Sequence, residues 1–158
     1  MKLEVQDICT VDYFHAIPCY NGKCSSIHGH LSFLLSASVD GEPSGDFLID
    51  FKELKSIIKT VAEELDHKIV ISKKYFSGSY KSGVLISWTT PSGDEFSISC
   101  PAHSVLFLDG EATIENICRY IAEKSLSLLP KNIKSITIKM TEGIRNLCEV
   151  SISREPKS

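Results

Sequence analysis

Residues 27–40 constrain this chain more than any other stretch, because their side chains alternate in character. Ile27, Leu31, Phe33, Leu35, Ala37 and Val39 fall on one side, and His28, His30, Ser32, Ser36, Ser38 and Asp40 on the other. Successive side chains of a strand point to opposite faces. The pattern therefore predicts a strand over 27–40 with one face against a core and the other polar, carrying both histidines.

Two helical stripes can cover the apolar face. Phe51, Leu54, Ile57, Ile58, Val61, Ala62 and Leu65 recur at helical spacing. Asp50 suits the N-cap, with Glu53 placed to complete a capping box, and the helix runs out at Asp66-His67. Ile114, Ile117, Cys118, Ile121, Ala122, Leu126 and Leu129 make a second stripe, capped by Thr113 and ended by Pro130. Further strands are expected over 3–15, 84–90, 95–100, 133–141 and 147–152, with a short extended run at 105–108. The turn Pro91-Ser92-Gly93-Asp94 joins the middle pair into a hairpin. Segments 16–26 and 73–82 read as loops, and 153–158 as a frayed tail. This order predicts an α+β fold, an antiparallel sheet with two helices packed on one face. Its uncovered polar face suits completion by another subunit.

Composition excludes several classes. The chain has 158 residues, enough for one domain with a real core, and 42% are hydrophobic. A net charge of −3 without a basic block offers nucleic acid no footprint. No apolar run reaches the roughly 20 residues a membrane helix needs. The N-terminus lacks a signal-peptide core, so a cytoplasmic protein is expected. Cys9, Cys19, Cys24, Cys100, Cys118 and Cys148 form no Cys-x-x-Cys pair, and most are expected to be reduced and buried.

The stretch Cys24-Ser-Ser-Ile-His28-Gly-His30 carries the chemistry. Two imidazoles two positions apart on a strand share a face and can converge on one cation, as in half of a zinc site. The same residues also suit partly exposed strand histidines beside a buried cysteine. Asp66-His67 is either a solvated pair or a means of presenting an oriented imidazole.

Several motifs, in this order, resemble the 6-pyruvoyltetrahydropterin and 6-carboxytetrahydropterin synthase family. They are Tyr13-Phe-His15-Ala-Ile-Pro18, the Cys24 to His30 stretch, Asp46-Phe-Leu-Ile-Asp50-Phe51-Lys-Glu-Leu54-Lys55, Leu65-Asp66-His67, Thr113-Ile-Glu115-Asn116 and Thr141-Glu142. The resemblance implies a single tunnelling-fold domain over 1–158, with an inserted loop and hairpin at about 73–108. It implies subunit sheets joined into a barrel in a homo-oligomer, a trimer or hexamer, with sites between subunits. Zn2+ would be held by His15, His28 and His30, an open three-histidine site. Cys24 would be the general base, Asp66 and His67 a proton relay, and Glu142 the pterin anchor, with Thr113 also on the substrate side. The three residues between Cys24 and His28 resemble the carboxy branch of the family. That branch converts 7,8-dihydroneopterin triphosphate to 6-carboxytetrahydropterin, releasing acetaldehyde and triphosphate, in queuosine-type pathways. The alternatives are a pyruvoyl-type synthase releasing triphosphate only, and a non-catalytic zinc- and pterin-binding relative. Lys68-Ile-Val-Ile-Ser72, the longer 73–108 region, Gly143-Ile144-Arg145 and Ile114 depart from the family pattern.

Overall fold

The computed structural model describes residues 1–29 and 33–154. Four long strands build the main sheet: β1 (Lys2–Val11), β4 (Phe33–Gly41), β10 (Ile133–Glu142) and β11 (Asn146–Ser153). They lie in the order β1-β4-β10-β11, every neighbour antiparallel. Two helices cover one face, α1 (Phe51–Ala62) and α2 (Ile114–Leu128). Leu35, Ala37 and Val39 of β4 and Ile136, Ile138 and Met140 of β10 meet Leu54, Ile58 and Val61 of α1 and Ile117 and Ile121 of α2 there. The α+β layer expected from the alternation of 27–40 and from the two stripes is thus present, with β4 beginning at Phe33 and residues 30–32 outside the described ones.

Both helix starts follow local chemistry. The Asp50 carboxylate accepts the N–H groups of Lys52 and Glu53 at 2.6 and 3.2 Å. Only this half of the capping box forms among the described residues. Thr113 Oγ1 accepts the Asn116 N–H at 3.3 Å. At the other end of α2, the Arg154 guanidinium donates to the carbonyls of Leu126 and Leu129 at 2.7 and 2.8 Å. Arg154 is therefore anchored, correcting the frayed tail at that residue, while 155–158 lie outside the described residues.

The largest departure from the sequence expectation is a second four-stranded sheet. It contains β2 (Phe14–His15), β3 (His28–Gly29), β5 (Ile69–Ser72) and β9 (Val105–Leu108), in the order β3-β2-β5-β9. The β2–β5 and β5–β9 pairs are parallel, and β2–β3 is antiparallel. The strand expected over 3–15 is therefore two strands, broken at Asp12-Tyr13, and His28 lies apart from β4 on its own short strand. The break has a physical cause. The Asp12 N–H donates to Asp66 Oδ1 at 3.1 Å, and the Asp12 carbonyl accepts the His67 N–H at 2.7 Å. Two residues further, the Phe14 N–H donates to Lys68 O at 2.9 Å, opening the pairing with β5. The chain thus leaves the first sheet at Val11 and joins the second at Phe14.

A third sheet, β6-β7-β8, contains β6 (Phe76–Tyr80), β7 (Gly83–Thr89) and β8 (Glu95–Pro101), all antiparallel. The hairpin is as expected, but 76–80 is a strand rather than loop. Its mostly exposed Phe-Ser-Gly-Ser-Tyr sequence has no buried face to write a period-two pattern. Trp88, Ile86 and Val84 of this sheet share a second core with Ile71, Ala16 and Val105. α1 also ends at Ala62, earlier than the expected Leu65, and turns carry the chain to His67.

All six cysteines are free, but only Cys118 and Cys148 are buried and Cys19 is exposed, which corrects the expectation of mostly buried thiols. Burial, and then the Cys148 thiol beside it, push the Cys118 thiol up to about 12. Alkylation of the native protein at pH 8, read by peptide mass spectrometry, should therefore modify Cys19 and leave Cys118 intact; modification of Cys118 at the rate of Cys19 would show that α2 is not packed as described.

Ile138 is fully buried between β10 and the helices. Ile138→Ala should lower unfolding free energy by about 2–5 kcal/mol, whereas Asp50→Ala should lower it by only about 1 kcal/mol. Urea unfolding of the two variants checks this order.

Candidate active site

The handover from β1 to β2 sets the site. His15 ends β2 opposite His28 of β3, an antiparallel cross-strand pair. Their ring centroids are 4.3 Å apart with planes tilted by 46°. His15 Nδ1 lies 2.7 Å from the Ala112 carbonyl and His28 Nδ1 2.8 Å from the Ser26 carbonyl. A carbonyl only accepts, so each Nδ1 carries a proton, and in the neutral ring Nε2 then keeps the lone pair. Both Nε2 atoms are buried.

This is the state a metal-binding imidazole needs. A backbone acceptor on one ring nitrogen fixes the tautomer and orientation of the other. The donors fit zinc, which takes neutral imidazole nitrogen. Among the described residues, however, no group of three or more His, Cys, Asp or Glu side chains forms a complete metal site. The described chain supplies His15 and His28, and the third expected ligand, His30, lies outside the described residues.

Gly29 has its own reason to be glycine. A Cβ there would meet Phe14 Cδ1 at 3.1 Å and the Tyr13 carbonyl at 3.2 Å. Any side chain would press on β2 and shift the pairing that brings the two rings together.

Glu142 reaches the same place from the main sheet. It ends β10, just before a turn in which Gly143 takes a φ of 64°, and its Oε1 lies 3.8 Å from His15 Nε2. Tyr13 packs edge-on to His15, with centroids 5.6 Å apart. Burial, and then the Glu142 charge, push its phenol far above the usual range, so it stays protonated. The structure therefore gathers His15, His28, Glu142 and Tyr13; the first three were expected on the sequence, and Tyr13 was not singled out.

Cys24 lies in a single 3-10 turn (Lys23–Ser25) within the segment read as loop. The Ile17 N–H donates to the Cys24 carbonyl at 2.8 Å, tying the turn to the chain just beyond His15. The turn is braced again by Ser25 Oγ, which donates to Gly22 O at 2.8 Å.

Asp66 and His67 make a separate pair. His67 Nδ1 donates to Asp66 Oδ2 at 2.7 Å, and the imidazole is 82% exposed. His67 holds a left-handed φ of 58°, which a non-glycine residue adopts at a cost. Burial pushes the Asp66 carboxyl up, but the Asp12 N–H and the His67 imidazole outweigh it and hold the group below its usual range. The pair thus both fastens the β1–β2 break and presents an exposed, oriented imidazole. Thr113, expected on the substrate side, uses Oγ1 to cap α2, next to the Ala112 carbonyl that orients His15.

Residues 5–153 match the family model described as 6-pyruvoyl tetrahydropterin synthase. A Methanocaldococcus jannaschii protein provisionally named a 6-carboxy-5,6,7,8-tetrahydropterin synthase is 33% identical over 128 residues, 77% of this chain and 77% of that one. A Pyrococcus abyssi protein with the same provisional name is 29% identical over 140 residues, covering 87% of this chain and 82% of its own. The solved Plasmodium falciparum 6-pyruvoyl tetrahydropterin synthase superposes with a TM-score of 0.76 at 25% identity, covering 98% of both chains. The layered sheet and helices are therefore those of the tunnelling fold, and no helix among the described residues is long and apolar enough to cross a membrane. The chain belongs to the 6-pyruvoyl tetrahydropterin synthase family, a family of enzymes that act on pterins.

Proposed function

We propose that this protein is a zinc-dependent carbon–carbon lyase that converts 7,8-dihydroneopterin triphosphate to 6-carboxy-5,6,7,8-tetrahydropterin, releasing acetaldehyde and triphosphate. The observation that carries the proposal is the facing of His15 and His28 with both Nδ1 atoms committed to backbone carbonyls. Zn2+ would be held by these two rings with His30, and when bound it supplies Lewis acidity toward the hydroxyl oxygens of the substrate side chain.

The protein's own groups divide the remaining work. Cys24 is the general base that takes a proton from the substrate side chain; the thiolate is the reactive form, and a cation close by favours it. Glu142 fixes the pterin, its two oxygens accepting the ring N–H and the amino group as a bidentate match. That Glu142 Oε1 lies 3.8 Å from His15 Nε2 supports a pterin anchor beside the histidine pair. The Thr113 hydroxyl accepts its capping bond and still has a proton to donate to substrate.

Asp66 holds the Nδ1–H of His67, leaving Nε2 as the proton carrier of a relay. The exposure of His67 favours its acting at the site of a neighbouring subunit in a cytoplasmic homo-oligomer, a trimer or hexamer. The pyruvoyl-type reaction, which releases triphosphate alone, is the second reading; the resemblance to the Plasmodium falciparum enzyme favours it.

Protein purified without added metal should carry about one zinc per chain, and His28→Ala should lose it; full zinc content in that variant would defeat the ligand assignment. Cys24→Ala should keep its zinc yet lose turnover by at least about 10²-fold. Incubation with dihydroneopterin triphosphate then separates the two reactions: acetaldehyde is expected, and pyruvoyltetrahydropterin formed without acetaldehyde would put the protein in the pyruvoyl branch.

A further inference from the structure

The β6–β8 sheet reaches the site through one bond. The Trp88 indole N–H donates to the Ser25 carbonyl at 3.0 Å, and the bond is buried. Ser25 follows Cys24 in the 3-10 turn, and the next carbonyl along, that of Ser26, takes the Nδ1–H of His28. A single indole therefore grips the backbone between the proposed base and a proposed metal-binding ring.

The indole is itself held. It stacks on Phe96 with centroids 4.8 Å apart and planes within 6°, and Tyr75 packs against it at 6.4 Å. Trp88 is 6% exposed. The Tyr75 hydroxyl donates to Glu111 Oε1 at 2.9 Å, and Glu111 immediately precedes the Ala112 carbonyl that orients His15. Both carbonyls that set the imidazole tautomers thus lie one residue from a backbone or side-chain anchor supplied by this aromatic group.

We propose that Trp88 is a positioning residue, whose N–H on the Ser25 carbonyl fixes where the Cys24 thiol stands relative to the His15–His28 pair. The consequence for catalysis rests on Cys24 being the base. A phenylalanine would keep the stack on Phe96 but leave a buried carbonyl without its donor, and the turn would shift to find another. Small displacements of a reacting group cost rate far more than they cost stability. Because Ile17 N–H and Ser25 Oγ also brace the turn, the shift stays local.

The chain has one tryptophan, so its indole proton gives a single resonance. In the unmodified protein this proton should exchange with solvent at least about 100-fold more slowly than a free indole. An indole exchanging at the free rate would overturn the proposal without any variant. Trp88→Phe should keep its zinc and a Tm within a few degrees. In it, iodoacetamide should modify Cys24, read by peptide mass spectrometry, about fivefold faster, and kcat should fall about tenfold with KM within about twofold. Unchanged Cys24 alkylation together with unchanged kcat would overturn the positioning role. Should Cys24→Ala turn over normally, the base assignment falls, while proton exchange and Cys24 alkylation still decide whether Trp88 holds the turn.

Discussion

The backbone exchange at Asp12 is the constraint on which the molecule turns. A strand continuing straight from β1 would have carried His15 along the main sheet. Instead, the Asp12 N–H goes to the Asp66 carboxylate and its carbonyl to the His67 N–H, so both are satisfied by the loop after α1. Backbone groups near a core must find partners, and these partners are available only when α1 has docked on the sheet. Two residues later the chain pairs with β5, and His15 arrives facing His28. The helix that packs the core and the loop that bends the strand are therefore one mechanism.

Orientation of the site comes from backbone rather than side-chain acceptors. Ala112 O and Ser26 O hold the two Nδ1–H groups. Each carbonyl is positioned by something sturdier than a loop: Ala112 by the capped start of α2, and the 23–26 segment by its own turn and by Trp88. Fixed hydrogen-bond acceptors on one ring nitrogen set the tautomer and direction of the other. The second sheet pairs the two histidines, while the start of α2 and the β6–β8 sheet brace the segments whose carbonyls orient them.

Asp66 and His67 hold the strand break while presenting an exposed imidazole. The carboxylate takes an N–H from Asp12 with one oxygen and from His67 with the other. The strained φ of His67 is the conformation that lets its own N–H turn back to Asp12 while its ring projects outward. Replacing either residue for a mechanistic test thus perturbs the β1–β2 break as well as any proton transfer, and stability should be measured beside turnover.

Much of this was legible in the residues alone. Alternation of Leu35, Ala37 and Val39 with Ser36, Ser38 and Asp40 within 27–40, two amphipathic stripes, the caps Asp50 and Thr113, the 91–94 turn and the β10–β11 pair all follow from local periodicity and local hydrogen bonding, which sequence records directly. Of the residues the structure brings together, His15, His28 and Glu142 stood out in the sequence because few side chains can bind a metal or a polar ring, whereas Tyr13 did not. The strands β2 and β3 were expected only as parts of the longer 3–15 and 27–40 strands, and β5 and β6 not as strands at all. Two to five residues write no period, and the parallel partners of β5 come from sequence positions far away. Nor could side-chain patterns show that the Ala112, Ser26 and Ser25 carbonyls would hold two imidazoles and an indole, since a carbonyl is the same at every residue. Sequence by itself determined which side chains the protein has to work with and which faces must be buried; only the tertiary structure decided which of them meet, because the pairings that bring them together are made by backbone groups over long separations.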